Sequence, residues 1–175
     1  SNRTIINNMD KQEILKEFEK CSADPVYFIK EYIKIIHPVR GQVPFDLYRF
    51  QNRIVTEINS NRFNVIKKFR QAGVTTIMCA YALWFIIFHE KKMCMVVSIG
   101  DRESTSFLRR VIEMYEELPP WLKPGVHEKN KHNLVLETGS RIRSQPAGAG
   151  RGESVSLLIV DEAAFIPDMA DFWAA

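Results

Sequence analysis

Lys68-Phe-Arg-Gln-Ala-Gly-Val-Thr-Thr76 lies between a short apolar run, Phe63 to Ile66, and a long one, Ile77 to Phe88. Strand, loop and helix in that order place unpartnered backbone N–H groups of a helix N-terminus at the loop, which suits an anion. A standard phosphate-binding loop reads G-x-x-x-x-G-K-[ST]: the backbone cradles the phosphates, the lysine neutralises them and the hydroxyl holds magnesium. Gly73 matches the second glycine and Thr75 the hydroxyl position, but Val74 stands in place of the lysine. A triphosphate needs that charge from elsewhere, since a cation within about 4 Å contributes on the order of 4 kcal/mol even with surface-like screening. Lys68, where the first glycine would be, is expected to reach the β- and γ-phosphates, and Arg70 to organise or sense the γ-phosphate. Lys67 competes with Lys68, because strand alternation turns one of the two side chains to the wrong face. Gln71, Ala72, Gly73, Val74, Thr75 and Thr76 would complete the nucleotide-facing loop.

Downstream, Leu157-Leu-Ile-Val-Asp-Glu162 is an apolar strand ending in two carboxylates. In that arrangement the first, Asp161, supports Mg²⁺ together with Thr75, and the second, Glu162, polarises an attacking water. An acidic strand end is common in α/β proteins that bind no nucleotide, and a defective glycine loop is a weak signal. Together and in this order they point to ATP and Mg²⁺ as cofactors of an ATPase.

Outward from these motifs the chain reads as alternating elements. Ile14, Leu15 and Phe18 recur at helical spacing over Lys11–Glu19, after a polar, aperiodic start that reads as a frayed terminus. Ser22 and Asp24 before Pro25 open a second helix, with Phe28, Ile29, Tyr32, Ile33 and Ile36 on its buried face, stopping before His37-Pro38. Val39 to Tyr48 reads as a loop, and Leu47 to Ile58 as a helix that Asn59-Ser-Asn61 ends. Phe63–Ile66 is expected to be the strand feeding the loop, Met93–Ser98 a buried strand and Arg102–Glu117 a helix. His132–Glu137 and Ser140–Ser144, joined by Thr138-Gly139, suggest a hairpin, Gln145–Ser154 a glycine-rich loop and Val155–Val160 a strand. The pattern predicts an α/β, three-layer P-loop (RecA/ASCE-like) domain with a mainly parallel sheet covered by helices on both faces. It divides into an N-terminal helical lead-in and adenine-side segment, residues 1–60, and an ATPase core, residues 61–175.

The 175 residues are 46% hydrophobic, enough for one buried core. Cys21, Cys79 and Cys94 stand at unrelated spacings and suggest a reducing, cytoplasmic setting. Ile77–Phe88 is shorter than the roughly 20 residues a membrane span needs. A net charge of +3 does not by itself indicate nucleic acid. His127 and His132 have no cysteine or acidic cluster beside them and read as loop residues rather than zinc ligands. Tyr81, Trp84, Phe85 and Phe88 read as core, and Arg109-Arg110, among Glu113, Glu116 and Glu117, as a salt-bridged solvent face.

Several blocks in order resemble the large terminase subunits of tailed bacteriophages, especially the T4-like branch. They are Phe45-Asp-Leu-Tyr-Arg-Phe-Gln51, Arg70-Gln-Ala-Gly-Val-Thr-Thr76, Glu117-Leu-Pro-Pro-Trp-Leu-Lys-Pro-Gly125, Gly139-Ser140, Arg151-Gly-Glu-Ser154 and Asp161-Glu-Ala-Ala-Phe-Ile-Pro167. The resemblance implies an ATP-hydrolysing motor that drives double-stranded viral DNA through a capsid portal protein. Its expected partners are the small terminase subunit and like subunits in a ring, and its expected setting is the host cell cytoplasm. It implies that Gln51 reads adenine, that Asp161 and Glu162 are the magnesium-supporting and catalytic carboxylates, and that Arg151 is offered to a neighbouring subunit's nucleotide. The T4-like pattern has lysine at Val74, while other branches place it at the start of the loop, where Lys68 stands. Without the later coupling motif and any nuclease carboxylates, the chain reads as a fragment of such a protein. The rival readings are a nucleotide-independent assembly module with a degenerate loop and a helicase-like remodelling ATPase.

Overall fold

The computed structural model describes residues 10–37, 39–69, 71–147 and 154–166. Helix α1, Lys11–Ala23, begins at Asp10, whose carboxylate accepts the backbone N–H groups of Gln12 and Glu13 at 2.8 Å each. The Glu13 side chain accepts the Asp10 N–H in return, so two donors that lack helical partners are satisfied. Asp24 ends α1 and caps α2, Pro25–Tyr32, by accepting from the Val26 N–H at 2.8 Å. Proline at the first position of α2 forfeits no helical bond.

α2 stops short of the end expected from its apolar spacing. Lys34–His37 (β1) and Gly41–Pro44 (β2) pair antiparallel instead, so the segment expected to be helix and loop is a hairpin. Ile35 and Ile36 are β-branched and favour the extended chain, and Gly41, at φ 67°, supplies the left-handed residue that turns it back.

Three further helices follow: α3, Arg49–Ser60; α4, Val74–Phe88; and α5, Asp101–Glu116. α4 is apolar nearly all round and almost wholly buried, as a helix enclosed by other elements must be. The Trp84 indole N–H donates to the Cys21 carbonyl at 2.9 Å and ties α4 to α1.

The main sheet has the order β4-β5-β6-β3-β7, with β3 Met93–Ser98, β4 Val126–Lys129, β5 Asn133–Leu136, β6 Arg141–Pro146 and β7 Leu157–Val160. β3 runs parallel to β6 and β7, whereas β4–β5 and β5–β6 are antiparallel. The sheet is therefore mixed, not mainly parallel. Gly139, at φ 81°, closes the expected β5–β6 hairpin, and β4, unforeseen in the sequence, extends it.

Layering departs from expectation too. Cys94, Val96, Leu134, Leu136, Ile142 and Ile159 join residues of α1 to α5 in one core on one sheet face. Met93, Met95 and Val97 alternate to the other face, where they pack with Leu158, Val160, Ala147 and Ile166. Among the described residues only the short 3₁₀ turn Ala163–Phe165 leads into that cluster, so no second helical layer is present among them. The expected strand Phe63–Ile66 forms no ladder among the described residues: Phe63 and Val65 are exposed, and β7 ends the strand order. A strand is defined by its neighbour's hydrogen bonds, and this segment has none there.

Candidate functional site at the carboxyl ends of β3 and β7

The Lys68–Thr76 loop enters α4 through two left-handed residues, Gln71 at φ 64° and Gly73 at φ 73°. A non-glycine residue held in that region carries strain, and Glu162 at φ 56° is held the same way across the site. Gly73 caps α4 with no side-chain bond, and the first helical donor is the Ile77 N–H, to the Gly73 carbonyl at 3.0 Å. The Val74, Thr75 and Thr76 amides therefore have no partner within the helix and sit at its positive end.

Gln51, at the start of α3, braces this loop. Its Nε2 donates to the Ala72 carbonyl at 3.0 Å, and its Oε1 accepts the Tyr48 N–H at 3.0 Å. The side chain is 4% exposed, and a Cβ on Gly73 would stand 2.8 Å from its Nε2. A residue matched by resemblance to an adenine reader thus has both ends of its amide engaged inside the protein, while Ala72 and Val74 are buried beside it.

Lys68, Thr75 and Asp161 come together. The Lys68 ammonium donates to Asp161 Oδ1 at 3.1 Å and to Thr75 Oγ1 at 3.2 Å, and the Thr75 hydroxyl donates to Asp161 Oδ2 at 2.9 Å. Each Asp161 oxygen takes one donor; the Lys68 and Asp161 side chains are 29% and 19% exposed, and Thr75 is half-buried. Lys67 is exposed and makes no such contact. Of the two lysines left open by the sequence, Lys68 is the one brought to the acidic strand end. Thr75 and Asp161 are hard oxygen donors, the class that Mg²⁺ requires.

Beyond Asp161 a cavity of about 290 Å³ is lined by Thr75, Ser98, Arg102, Arg110, Asp161 and Glu162, among others. Arg109 pairs with Glu113 at 3.9 Å as the sequence suggests, but Arg110 faces this cavity instead of the salt-bridged surface. The signal was available: Arg102, Ser106 and Arg110 recur every four residues and so share one face of α5. Arg70, Arg151 and the glycines 148, 150 and 152 lie outside the described residues.

Behind the site, the Cys79 thiol donates to the Phe107 carbonyl at 3.6 Å, and Cys94 is the second residue of the wholly buried β3. Burial pushes both thiols well above their ordinary range, which keeps them protonated and makes them packing groups. Among the described residues no cluster of three or more His, Cys, Asp or Glu could hold a metal, and no helix is long and apolar enough to cross a membrane. His132 Nε2 lies 3.4 Å from Asp101 and its Nδ1 contacts the Ser144 carbonyl, so it serves the α5–β6 junction.

The fold is similar to the crystal structure of the HK97 bacteriophage large terminase, with a TM-score of 0.67 and 15% identity, over 87% of this chain and 34% of that one. This chain thus spans about a third of the length of that protein. Residues 65–175, more than half of the chain, match the family described as terminase large subunit, T4likevirus-type, N-terminal. The matched region begins just before the Lys68 loop and includes the acidic strand end that meets it. The chain belongs to the N-terminal family of T4-like large terminase subunits.

Proposed function

We propose that this chain carries the nucleotide site of an ATP-hydrolysing motor that translocates double-stranded viral DNA into a procapsid. The observation that carries the reading is the Lys68–Thr75–Asp161 triangle at the mouth of an uncapped helix. It supplies, at one point, a cation to replace the lysine missing at Val74, a hydroxyl and a carboxylate.

Thr75 and Asp161 would hold Mg²⁺ with the phosphates; the ion supplies charge neutralisation for phosphoryl transfer. The unpartnered amides at the start of α4 cradle phosphate oxygens, and Lys68 turns from Asp161 to the β- and γ-phosphates as they enter. Glu162, beside the cavity, orients and deprotonates the attacking water. Arg70 acts on the γ-phosphate, and Arg151 on the nucleotide of a neighbouring subunit, where such an arginine contributes about 10³ to 10⁵ in rate. A homo-oligomeric ring on the portal protein, supplied with DNA by the small terminase subunit in the host cytoplasm, completes the reading.

Calorimetry with a non-hydrolysable ATP analogue and Mg²⁺ tests it. Lys68→Ala is expected to weaken binding about tenfold or more, the scale of a lost charge-assisted bond, and Lys67→Ala to leave it within about twofold. Equal affinity in the Lys68→Ala chain would remove the relocated lysine, and no binding by the unaltered chain would favour an assembly module without a nucleotide.

A further inference from the structure

Helix α5 brings two cations to the far wall of the site. Arg102, Ser106 and Arg110 recur every four residues and all line the cavity beyond Asp161. From Arg102 to Arg110 is about 12 Å along the helix axis, with Ser106 midway, so two long side chains can converge near one hydroxyl. Arg109, one position away, is held by Glu113 at 3.9 Å. Among the described residues neither Arg102 nor Arg110 makes an ion pair or donates a side-chain hydrogen bond. An arginine is always charged and presents five donors in a planar fork that fits an oxyanion. Two such forks at one cavity are left without an acceptor.

The same cavity is lined by Thr75, Asp161 and Glu162, so it is continuous with the place where a γ-phosphate would be cleaved. At about 290 Å³ it admits a tetrahedral oxyanion with water around it. Its remaining acid, Glu103, lies back against the start of α5, where a Cβ on Gly100 would stand 2.9 Å from its Oε2.

We infer that Arg102, Ser106 and Arg110 hold the inorganic phosphate that hydrolysis releases, as an exit site beyond Glu162. This rests on the reading of the Lys68 loop as an ATP site. In the cleavage step a water oxygen bonds to the γ-phosphorus while the bond from that phosphorus to the β–γ bridging oxygen breaks, and the electron pair leaves with ADP. The proton taken from the water rests on Glu162. The new phosphate therefore forms beside an uncharged carboxyl, and the two guanidiniums are the free charges it meets next. Before that proton arrives Glu162 is an anion and opposes a phosphate at this wall, so the site favours the product over the unreacted nucleotide.

Orthophosphate is the probe, added to the full 175-residue chain saturated with Mg²⁺ and ADP, and its affinity is measured by calorimetry. Arg102→Gln and Arg110→Gln are each expected to weaken phosphate binding about tenfold or more, and Arg109→Gln to leave it within about twofold. Glu162→Gln, an uncharged stand-in for the protonated carboxyl, is expected to bind phosphate at least as tightly as the unaltered chain. All three arginines are exposed, so the variants should fold, and unchanged ADP affinity reports this directly. The proposal is overturned if phosphate affinity ignores both Arg102→Gln and Arg110→Gln, or if Arg109→Gln weakens it as much, which would leave only general positive charge. Weakened ADP binding in the Arg102 and Arg110 variants overturns it in favour of a role toward the nucleotide, and a loss of phosphate in Glu162→Gln overturns the order of proton and product. An unaltered chain that binds ADP but no phosphate removes the exit site alone; one that binds no ADP removes the loop reading and the exit site with it.

Discussion

The Lys68 ammonium lies 3.1 Å from Asp161 Oδ1, joining the two ends of the site across 93 positions of sequence. Thr75 donates to the other oxygen of the same carboxylate at 2.9 Å. In the proposed reading, Mg²⁺ would take the place of Lys68 on this carboxylate.

Asp161→Asn keeps the shape of the side chain but removes the charge. If Asp161 supports Mg²⁺, the unaltered chain binds an ATP analogue more tightly with the ion than with a chelator. The variant is expected to show a difference below about twofold, because an amide oxygen is a much weaker partner for the ion. Calorimetry in both buffers decides, and an undiminished Mg²⁺ effect in the variant would move the metal role elsewhere.

Gly73 and Gly41 both have positive φ, at 73° and 67°, but only Gly73 has a neighbour in the way. Gly41→Ala should cost only left-handed strain, about 1–2 kcal/mol by urea unfolding. Gly73→Ala adds a Cβ 2.8 Å from Gln51 Nε2 and displaces the brace. It is expected to weaken analogue and tripolyphosphate binding alike, and Gln51→Ala to do the same. A Gln51→Ala chain that loses analogue affinity only would restore Gln51 as a base reader.

Ile142 on β6 is fully buried between the strands and the helical layer. Ile142→Ala removes buried methyl groups in a place hemmed in by β3 and β5, where little can collapse. A loss of about 2–4 kcal/mol is expected from the urea midpoint, with the m-value unchanged. A loss below about 1 kcal/mol would show that this interface is loosely packed.

Burial raises the Cys21 thiol from its ordinary 9.0 to about 12, and raises Cys79 and Cys94 further in the same direction. The folded chain thus retains protons that the unfolded chain releases as pH rises past about 9, so folding is favoured fully below that point and less as pH climbs toward 12. The urea midpoint is expected to fall between about pH 8.5 and pH 10.5, and Cys94→Ala to reduce the slope. Tyr27, Tyr32, Tyr81 and Tyr115, also raised chiefly by burial, act in the same direction. Rapid labelling of all three thiols in the native chain at neutral pH would contradict the burial.

By itself the sequence determined the local events: the cap at Asp24, the buried α4, the strands β3 and β7 and the turn at Gly139, each set by side chains within a few residues of one another. It also marked Gly73, Thr75, Asp161 and Glu162, since their spacing from an apolar strand or helix is a local pattern. Tertiary structure alone decided which lysine faces Asp161, because the two are neighbours in the chain and the carboxylate that one of them meets lies 93 positions away from Lys68. It decided equally that Arg110 faces the cavity while Arg109 meets Glu113, that Gln51 is spent on the loop, and that Phe50 meets Phe69. The mixed sheet and the absence of a ladder at Phe63–Ile66 among the described residues belong to the same class. Strand direction and pairing are set by contacts between segments far apart in the chain, and those contacts leave no period in the sequence.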